Sequence, residues 1–164
     1  MQCCRSMRER SDPWALWLLE RRDGGDHRQR KVTLEHLSGI RDRVLLQAEP
    51  LAGATVLDVG AGNGLIGLEA LERVGPDGTV IFSDVSEPLL SECRKAVAER
   101  GLSDRARFIS TRAEDLAEVA DASVDVVTTR SVLIYVADKP RAFSALHRVL
   151  RPGGRISSSS RSIA

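Results

Sequence analysis

VLDVGAGNGLIG, residues 56–67, is the most informative stretch of this chain, together with VIFSDVSEPLL at residues 80–90. The first stretch runs from apolar residues into a glycine-rich turn and then into an amphipathic segment. The second is an apolar run that closes on Asp84. This order predicts a strand, a glycine turn, a helix and a second strand that ends in an acid. Such a unit is typical of a nucleoside-binding α/β half-domain.

The glycine turn has features that suit an anionic nucleoside. Gly60, Gly62 and Gly64 allow positive φ angles and let the backbone approach a ligand closely, because glycine has no Cβ. A helix that begins near Leu65 would direct unpaired N–H groups toward the turn and favour an anionic group there. Asp84 would accept hydrogen bonds from both hydroxyls of a ribose. We therefore predict a ligand that combines a nucleoside with an acidic group.

Two classes of cofactor fit this prediction. Gly62, Gly64 and Gly67 satisfy the pattern G-x-G-x-x-G, which is the fingerprint of dinucleotide-binding domains. An oxidoreductase that binds NAD(P) or FAD is therefore one alternative. The sequence VLDVGAGNG instead favours a second class of nucleoside cofactor, one that is not a dinucleotide. In this sequence Asp58 lies two residues before the first glycine, and a Gly-x-Gly-x-Gly core follows.

This stretch resembles motif I of the class I S-adenosylmethionine-dependent methyltransferases. The resemblance implies that the strand-borne acid and the glycine loop hold the methionine part of S-adenosylmethionine, and that S-adenosylhomocysteine is the product. The residues concerned are Asp58, Gly60, Ala61, Gly62 and Gly64. Further motifs extend the resemblance over residues 52–156 and are most similar to the group of quinone-biosynthesis and arsenite methyltransferases.

The second and third motifs concern the adenosine part of the cofactor. By resemblance, Asp84 is the acid that binds the ribose, and Val85 beside it lies against the adenine ring. After the strand-like sequence RFIST, Glu114 and Asp115 stand where the family places a small residue and an acid that read the adenine edge. LHRVLRPGGRI, residues 146–156, is similar to the helix and turn that lead into the family's fifth strand.

Motif IV is represented by VDVVTTRSVLIYV, residues 124–136. The resemblance places the backbone carbonyls of Thr129 and Arg130 near the ammonium group of the cofactor. For the Arg130 side chain two interpretations stay open: it either binds an anionic substrate or forms an ion pair with Asp58 or Asp84.

The catalytic side chains are less clearly indicated than the cofactor residues. We expect the loop after the fourth strand to face the sulfonium. Tyr135, in this loop, either orients the acceptor or takes its proton, or it packs on the cofactor loop. His36, on a predicted helix at 33–48, is a second candidate proton acceptor, although a lone helical histidine is more often structural. Trp14 and Trp17 either line an apolar acceptor pocket or serve packing alone.

The alternation of apolar and amphipathic segments predicts an α/β fold with a doubly wound, mostly parallel sheet of about five strands. The predicted strands lie near 55–60, 79–84, 106–110, 124–129 and 155–158, and helices near 64–74, 86–100, 113–119 and 138–149. We divide the chain into a helical cap (1–50), a Rossmann-like domain (51–156) and a Ser-rich tail (157–164). Because the family fold has two more strands, we expect a truncated sheet with an exposed edge.

Such an edge could support a homodimer, and it keeps open the alternative of a catalytically inactive cofactor-binding domain. The net charge of +1 gives no field that would recruit nucleic acid, and no apolar segment approaches the roughly 20 residues of a membrane span. Cys3, Cys4 and Cys93 form no metal-ligand pattern and indicate a cytoplasmic protein. Methyl transfer to a small-molecule acceptor is thus the predicted function.

Overall fold

The computed structural model describes residues 12–22 and 27–159. Five parallel strands form one sheet, in the order β3-β2-β1-β4-β5. The strands are β1 (Thr55–Val59), β2 (Thr79–Asp84), β3 (Ala106–Ser110), β4 (Val124–Arg130) and β5 (Leu150–Ser159). The doubly wound α/β fold predicted from the sequence is therefore confirmed.

Helices connect the strands and precede the first of them. They are α1 (Pro13–Leu16), which continues into a π-helical turn (Trp17–Arg21), then α2 (His27–Gln47), α3 (Gly67–Arg73), α4 (Glu87–Glu99) and α5 (Lys139–Val149). Three of these helices begin at a side-chain cap followed by proline at the first or second position, which satisfies N–H groups that have no partner inside the helix. The capping residues are Asp12, Ser86 and Asp138.

The direction of the sheet reverses between β1 and β4. From β1 the chain adds β2 and β3 on one side, and it then returns to add β4 and β5 on the other. Val59 pairs with Ser83 on one side and with Thr129 on the other, so these three strands end level with one another. The crevice at the carboxyl ends of such strands is where open α/β sheets bind ligands.

Both faces of the sheet are covered by apolar packing. Side chains alternate along each strand, so that Val56 faces one layer and its neighbour Leu57 faces the other. Helices α2, α3 and α4 contribute to the first layer. Helix α5 and the segment 113–136 contribute to the second. The sheet is thus buried on both faces, as its nearly continuous apolar strands require.

Helix α2 packs against the edge strand β5 through polar contacts as well as apolar ones. The hydroxyl of Ser157 donates to the carbonyl of Val44 at 2.7 Å, and the guanidinium of Arg155 donates to the carbonyls of Ala48 and Pro50. The sequence pattern predicts this helix at 33–48. The structure confirms it, with a start already at His27.

The segment 113–119 is not a helix, contrary to the sequence prediction. It forms successive turns, in which Ala113, Leu116 and Val119 are buried at a spacing of three. Arg148 explains the difference, because its guanidinium donates to the carbonyls of Leu116 and Val119 at 2.8 and 2.9 Å. The carbonyl of Val119 is thus bound by a side chain from α5, and that of Leu116 is shared between this side chain and the N–H of Val119, which forms a turn and not an α-helical bond.

The predicted Ser-rich tail also needs correction at its start. Residues 157–159 belong to β5, where they pair with residues 128–130, and Ser157 is buried because its small hydroxyl fits under α2. Residues 160–164 lie outside the described part. β5 lies at the sheet edge with Ile156 40% exposed. No helix within 12–22 and 27–159 is long and apolar enough to cross a membrane.

Candidate active site

The glycine loop after β1 has the backbone conformation predicted from its sequence. Gly60, Gly62 and Gly64 have φ angles of 68°, 56° and 90°, in the left-handed region that favours glycine. Residues 62–66 form turns, and α3 begins at Gly67 and not near Leu65. The loop therefore spans more residues than predicted before the helix starts.

Backbone hydrogen bonds fix the loop to the end of β2. The N–H groups of Gly60 and Ala61 both donate to the carbonyl of Ser83, at 2.8 and 3.0 Å. The N–H of Gly62 donates to Oδ2 of Asp84 at 2.8 Å. The turn is thereby held directly beside the acid that the sequence assigns to the ribose.

Asp84 itself is oriented from two sides. Its second oxygen, Oδ1, accepts from the N–H of Ser86 at 2.9 Å, at the start of α4. Val85, between these residues, is 53% exposed, whereas the other side chains of this strand end are buried. An exposed apolar side chain beside a fixed carboxylate matches the predicted surface for an adenine ring next to a ribose.

Two glycines are required by neighbouring side chains. A Cβ on Gly60 would lie 2.1 Å from Cγ2 of Val132, and a Cβ on Gly67 would lie 2.3 Å from Cε1 of Phe82. The loop after β4 therefore rests directly on the backbone of the glycine loop. Larger residues at either position would push these elements apart.

Asp58 is buried beneath the loop and is 2% exposed. Its Oδ2 accepts from the N–H of Gly67 and its Oδ1 accepts from the hydroxyl of Thr128, both at 2.9 Å. Burial raises the pKa of Asp58 to about 7, and repulsion by Asp84 adds to this, against the lowering effect of the two hydrogen bonds. Asp58 thus connects β1, β4 and the start of α3, and both of its oxygens are already engaged.

Cys93 supports the loop from α4. Its thiol donates to the carbonyl of Gly62 at 3.2 Å, and the residue is fully buried. Burial and nearby carboxylates raise the pKa of Cys93 to about 12, so that the thiol stays neutral. Cys93 therefore acts as a small buried residue. Cys3 and Cys4 lie outside the described residues.

The N-terminal segment covers the glycine loop. Cδ1 of Leu18 lies 3.4 Å from the position that a Cβ on Gly62 would take. In the same segment, the ring of Trp14 meets the ring of Tyr135 edge to face, with centroids 4.8 Å apart at 69°. Tyr135 is nevertheless 61% exposed, so its hydroxyl lies at the rim of the site.

The end of β4 carries two polar side chains without an internal partner. Oγ1 of Thr129 and Nε of Arg130 are buried and form no hydrogen bond. Asp58 and Asp84 bind other partners, and Arg130 forms no ion pair with either of them. Ser131, which follows, has a φ of 56°, a conformation that is uncommon for a residue other than glycine.

The other residues predicted for the site are Glu114, Asp115 and His36. Glu114 forms an ion pair with Arg112 at 3.5 Å, while Asp115 is exposed in the same turn. His36 is exposed on α2, and the structure gives it no hydrogen bond to any described residue. Within 12–22 and 27–159, no group of three or more metal-binding side chains occurs.

Sequence reasoning missed several residues that shape the site, namely Leu18, Thr128 and Val132. Thr128 carried a detectable signal, because two threonines interrupt an otherwise apolar run in VDVVTTR. Leu18 and Val132 carried none, since each acts only through contact with a loop that is distant in sequence.

Comparison with known proteins agrees with this geometry. Residues 51–163 match the family model described as a methyltransferase domain. The nocamycin O-methyltransferase of Saccharothrix syringae is 38% identical over 75% of this chain and 43% of its own length. A ubiquinone/menaquinone biosynthesis C-methyltransferase of Marinomonas sp. is 33% identical over 81% of this chain and 49% of its own length.

A solved methyltransferase structure is also similar to this chain. An arsenic(III) S-adenosylmethionine methyltransferase of Chlamydomonas reinhardtii is 33% identical, with a TM-score of 0.60 over 65% of this chain and 38% of that one. The chain spans about half the length, or less, of these two curated relatives. The family match covers more than half of the chain, and the motifs, the loop geometry and the sheet order agree with it. The chain therefore belongs to the class I S-adenosylmethionine-dependent methyltransferases.

Proposed function

We propose that this chain catalyses the transfer of a methyl group from S-adenosylmethionine to a small-molecule acceptor. The observation that carries the proposal is the pairing of Asp84 with the N–H of Gly62 at 2.8 Å, beside the exposed Val85, at the point where the sheet reverses direction. This arrangement offers a carboxylate, an open backbone and an apolar surface within one crevice.

The residues of this crevice fit the cofactor. The carboxylate of Asp84 would hold the ribose hydroxyls, Val85 would contact the adenine, and the backbone of Gly60 and Gly62 would lie along the methionine part. The orphaned Oγ1 of Thr129 is a further polar group that a ligand would satisfy. When bound, S-adenosylmethionine supplies a methyl carbon on a sulfonium, which is open to in-line displacement by a nucleophile.

The protein's contribution to such a reaction is placement. Holding two reactants in line is worth roughly 7–11 kcal/mol of the barrier, so no strong catalytic triad is needed. Leu18 covers the glycine loop, and the ring pair of Trp14 and Tyr135 closes the same side. These side chains would exclude water and orient the acceptor, with the Tyr135 hydroxyl available to hold or take a proton. His36 remains a secondary candidate for that role.

The comparisons leave open which atom of the acceptor is methylated. The relatives described above are named as enzymes that act on oxygen, on carbon and on arsenic. We favour a small organic acceptor, because the covering side chains Leu18, Trp14 and Tyr135 present apolar and aromatic surface. Cys93 is a free thiol, which suits a reducing compartment such as the cytoplasm. The free edge of β5 is our candidate for a homodimer contact.

The proposal is tested by measuring S-adenosylhomocysteine formation with a panel of phenols, quinols, carboxylic acids and arsenite. Asp84→Asn leaves one oxygen where two N–H groups and a ribose need two, so we expect turnover to fall by about tenfold or more. Asp77→Asn, in an exposed turn, is the matched control and should behave like the parent chain. Equal turnover in both variants would contradict the proposed role of the crevice.

A further inference from the structure

Cys93 is a buried side chain of α4 that contacts two of the three glycines of the loop after β1. Its thiol donates to the carbonyl of Gly62 at 3.2 Å, and its Sγ lies 3.2 Å from the position that a Cβ on Gly64 would take. The sulfur atom therefore fills the space that glycine leaves at position 64. The loop is held to α4 by a hydrogen bond as well as by packing.

The two peptide groups that flank Gly62 are each held by a side chain. The N–H of Gly62 donates to Oδ2 of Asp84, and the carbonyl of Gly62 accepts from Cys93. The Gly62–Asn63 peptide is trans, so its N–H bond points in the direction opposite to its carbonyl. The N–H of Asn63 thus points away from α4. No described residue accepts from this N–H, which leaves it available to a ligand.

The thiol keeps the proton that this hydrogen bond needs. Burial and the carboxyl groups of Asp58 and Asp84 raise the pKa of Cys93 to about 12. A deprotonated sulfur could not donate to a carbonyl, and it would add a negative charge beside two acids. Cys93 is therefore a neutral donor at neutral pH.

We propose that Cys93 is a positioning residue for the cofactor: its thiol fixes the Gly62–Asn63 peptide and so keeps the N–H of Asn63 available to the carboxylate of the cofactor's amino-acid part. This inference rests on the proposed function. Hydrogen bonds to a carboxylate are stronger than those between neutral groups, so the orientation of one peptide affects affinity. Without the thiol donor this peptide is free to rotate. The adenosine part of the cofactor, assigned to Asp84 and Val85, does not depend on it.

Calorimetry with two ligands tests the proposal. S-Adenosylhomocysteine carries the amino-acid part, whereas 5′-methylthioadenosine lacks it. Cys93→Ala removes the donor, and we expect the affinity for S-adenosylhomocysteine to fall about three- to tenfold while that for 5′-methylthioadenosine stays unchanged. Cys93→Ser keeps a donor and should retain the ratio of the two affinities. Val97→Ala is the matched control, because it shortens an equally buried apolar side chain one turn along α4.

The ligand-free protein supplies a second readout. The amide resonance of Asn63 in a nitrogen–proton NMR spectrum should shift or broaden in Cys93→Ala, and it should stay unchanged in Val97→Ala. Thermal unfolding shows whether each variant is folded. If Cys93→Ala does not fold, Cys93→Val takes its place, since valine fills the space without a donor.

The outcomes separate a positioning role from a structural one. Equal weakening of both ligands in Cys93→Ala, or an affinity ratio like that of the parent chain, overturns the proposal. So does a Cys93→Ser variant that behaves like Cys93→Ala, because the donor would then be irrelevant. Failure of the parent chain to bind S-adenosylhomocysteine would contradict the proposed function instead, and the Asn63 resonance would still report whether Cys93 fixes the peptide.

Discussion

Asp58 is a carboxyl group held where water does not reach it. Its two hydrogen bonds, to Gly67 and Thr128, do not fully offset the loss of hydration, and its pKa is therefore raised to about 7. A protonated Asp58 suits the ligand-free protein. An ionised one would favour a positively charged ligand in the loop above it.

This pKa makes stability depend on pH. Between about pH 4 and pH 7 the folded state holds a proton on Asp58 that the unfolded chain has released, so the free energy of unfolding falls as pH rises through this range. Asp58→Asn imitates the protonated group: its amide can donate to Thr128 while its oxygen accepts from Gly67. We expect this variant to lose the pH dependence and to be more stable than the parent chain at pH 8.

Denaturant unfolding at pH 5 and pH 8 checks this expectation. Asp77→Asn removes an exposed carboxylate and should retain the pH dependence of the parent chain. If Asp58→Asn also retained it, the raised pKa of Asp58 would not be the cause.

At this scale the sequence predicted what local backbone chemistry requires. The positive φ angles of Gly60, Gly62 and Gly64 follow from the glycines themselves, and the position of Asp84 follows from the end of its strand. The sequence did not predict contacts between residues that lie far apart along the chain. The clash that keeps Gly60 free of a Cβ comes from Val132, which lies far along the chain.

Among the elements, the segment 113–119 illustrates a competition between local pattern and tertiary contact. Its apolar spacing of three suits a helix, but Arg148 binds the carbonyls of Leu116 and Val119 and pairs with Asp121. The guanidinium thus holds the turns against α5. Because this arrangement depends on a residue about thirty positions later, no local reading of the segment could have found it.

Replacing Arg148 should therefore loosen these turns. Arg148→Met leaves the partly buried carbonyl of Val119 without a partner and removes one of the two donors to the carbonyl of Leu116, which costs about 1–3 kcal/mol of stability. Arg151→Met removes only an exposed ion pair and should cost between about 0 and 1 kcal/mol. Urea unfolding gives both values, and amide exchange over 112–121 shows whether the loss is local. Equal costs for the two variants would contradict the role assigned to Arg148.

The boundaries of α2 and β5 also differ from those predicted from the sequence. Helix α2 starts before the apolar pattern that revealed it, because its first turns carry mostly polar residues. Strand β5 begins at Leu150, before the predicted start near 155, and it ends at Ser159, one residue after the predicted end. Ser157 is held there by its bond to Val44 and by pairing with β4, neither of which is visible in composition.

For the whole molecule, the order of the strands is what creates the site. The reversal between β1 and β4 brings the glycine loop next to the loop after β4, and the N-terminal segment covers both. The alternating segments predicted this layout, since parallel strands joined by helices leave their carboxyl ends at one edge. The alternating segments did not predict which side chains meet at this edge. The sequence therefore indicated the class of cofactor, but it did not indicate the methyl acceptor.

The most direct measurement is calorimetric binding of S-adenosylmethionine, S-adenosylhomocysteine and NAD to this chain. We expect the first two to bind and NAD not to bind. Thermal unfolding should then show a stability gain of roughly 2.7 kcal/mol at a ligand concentration one hundred times the dissociation constant. Binding of NAD without binding of either adenosyl compound would contradict the assignment of the crevice around Asp84 as a methyl-donor site.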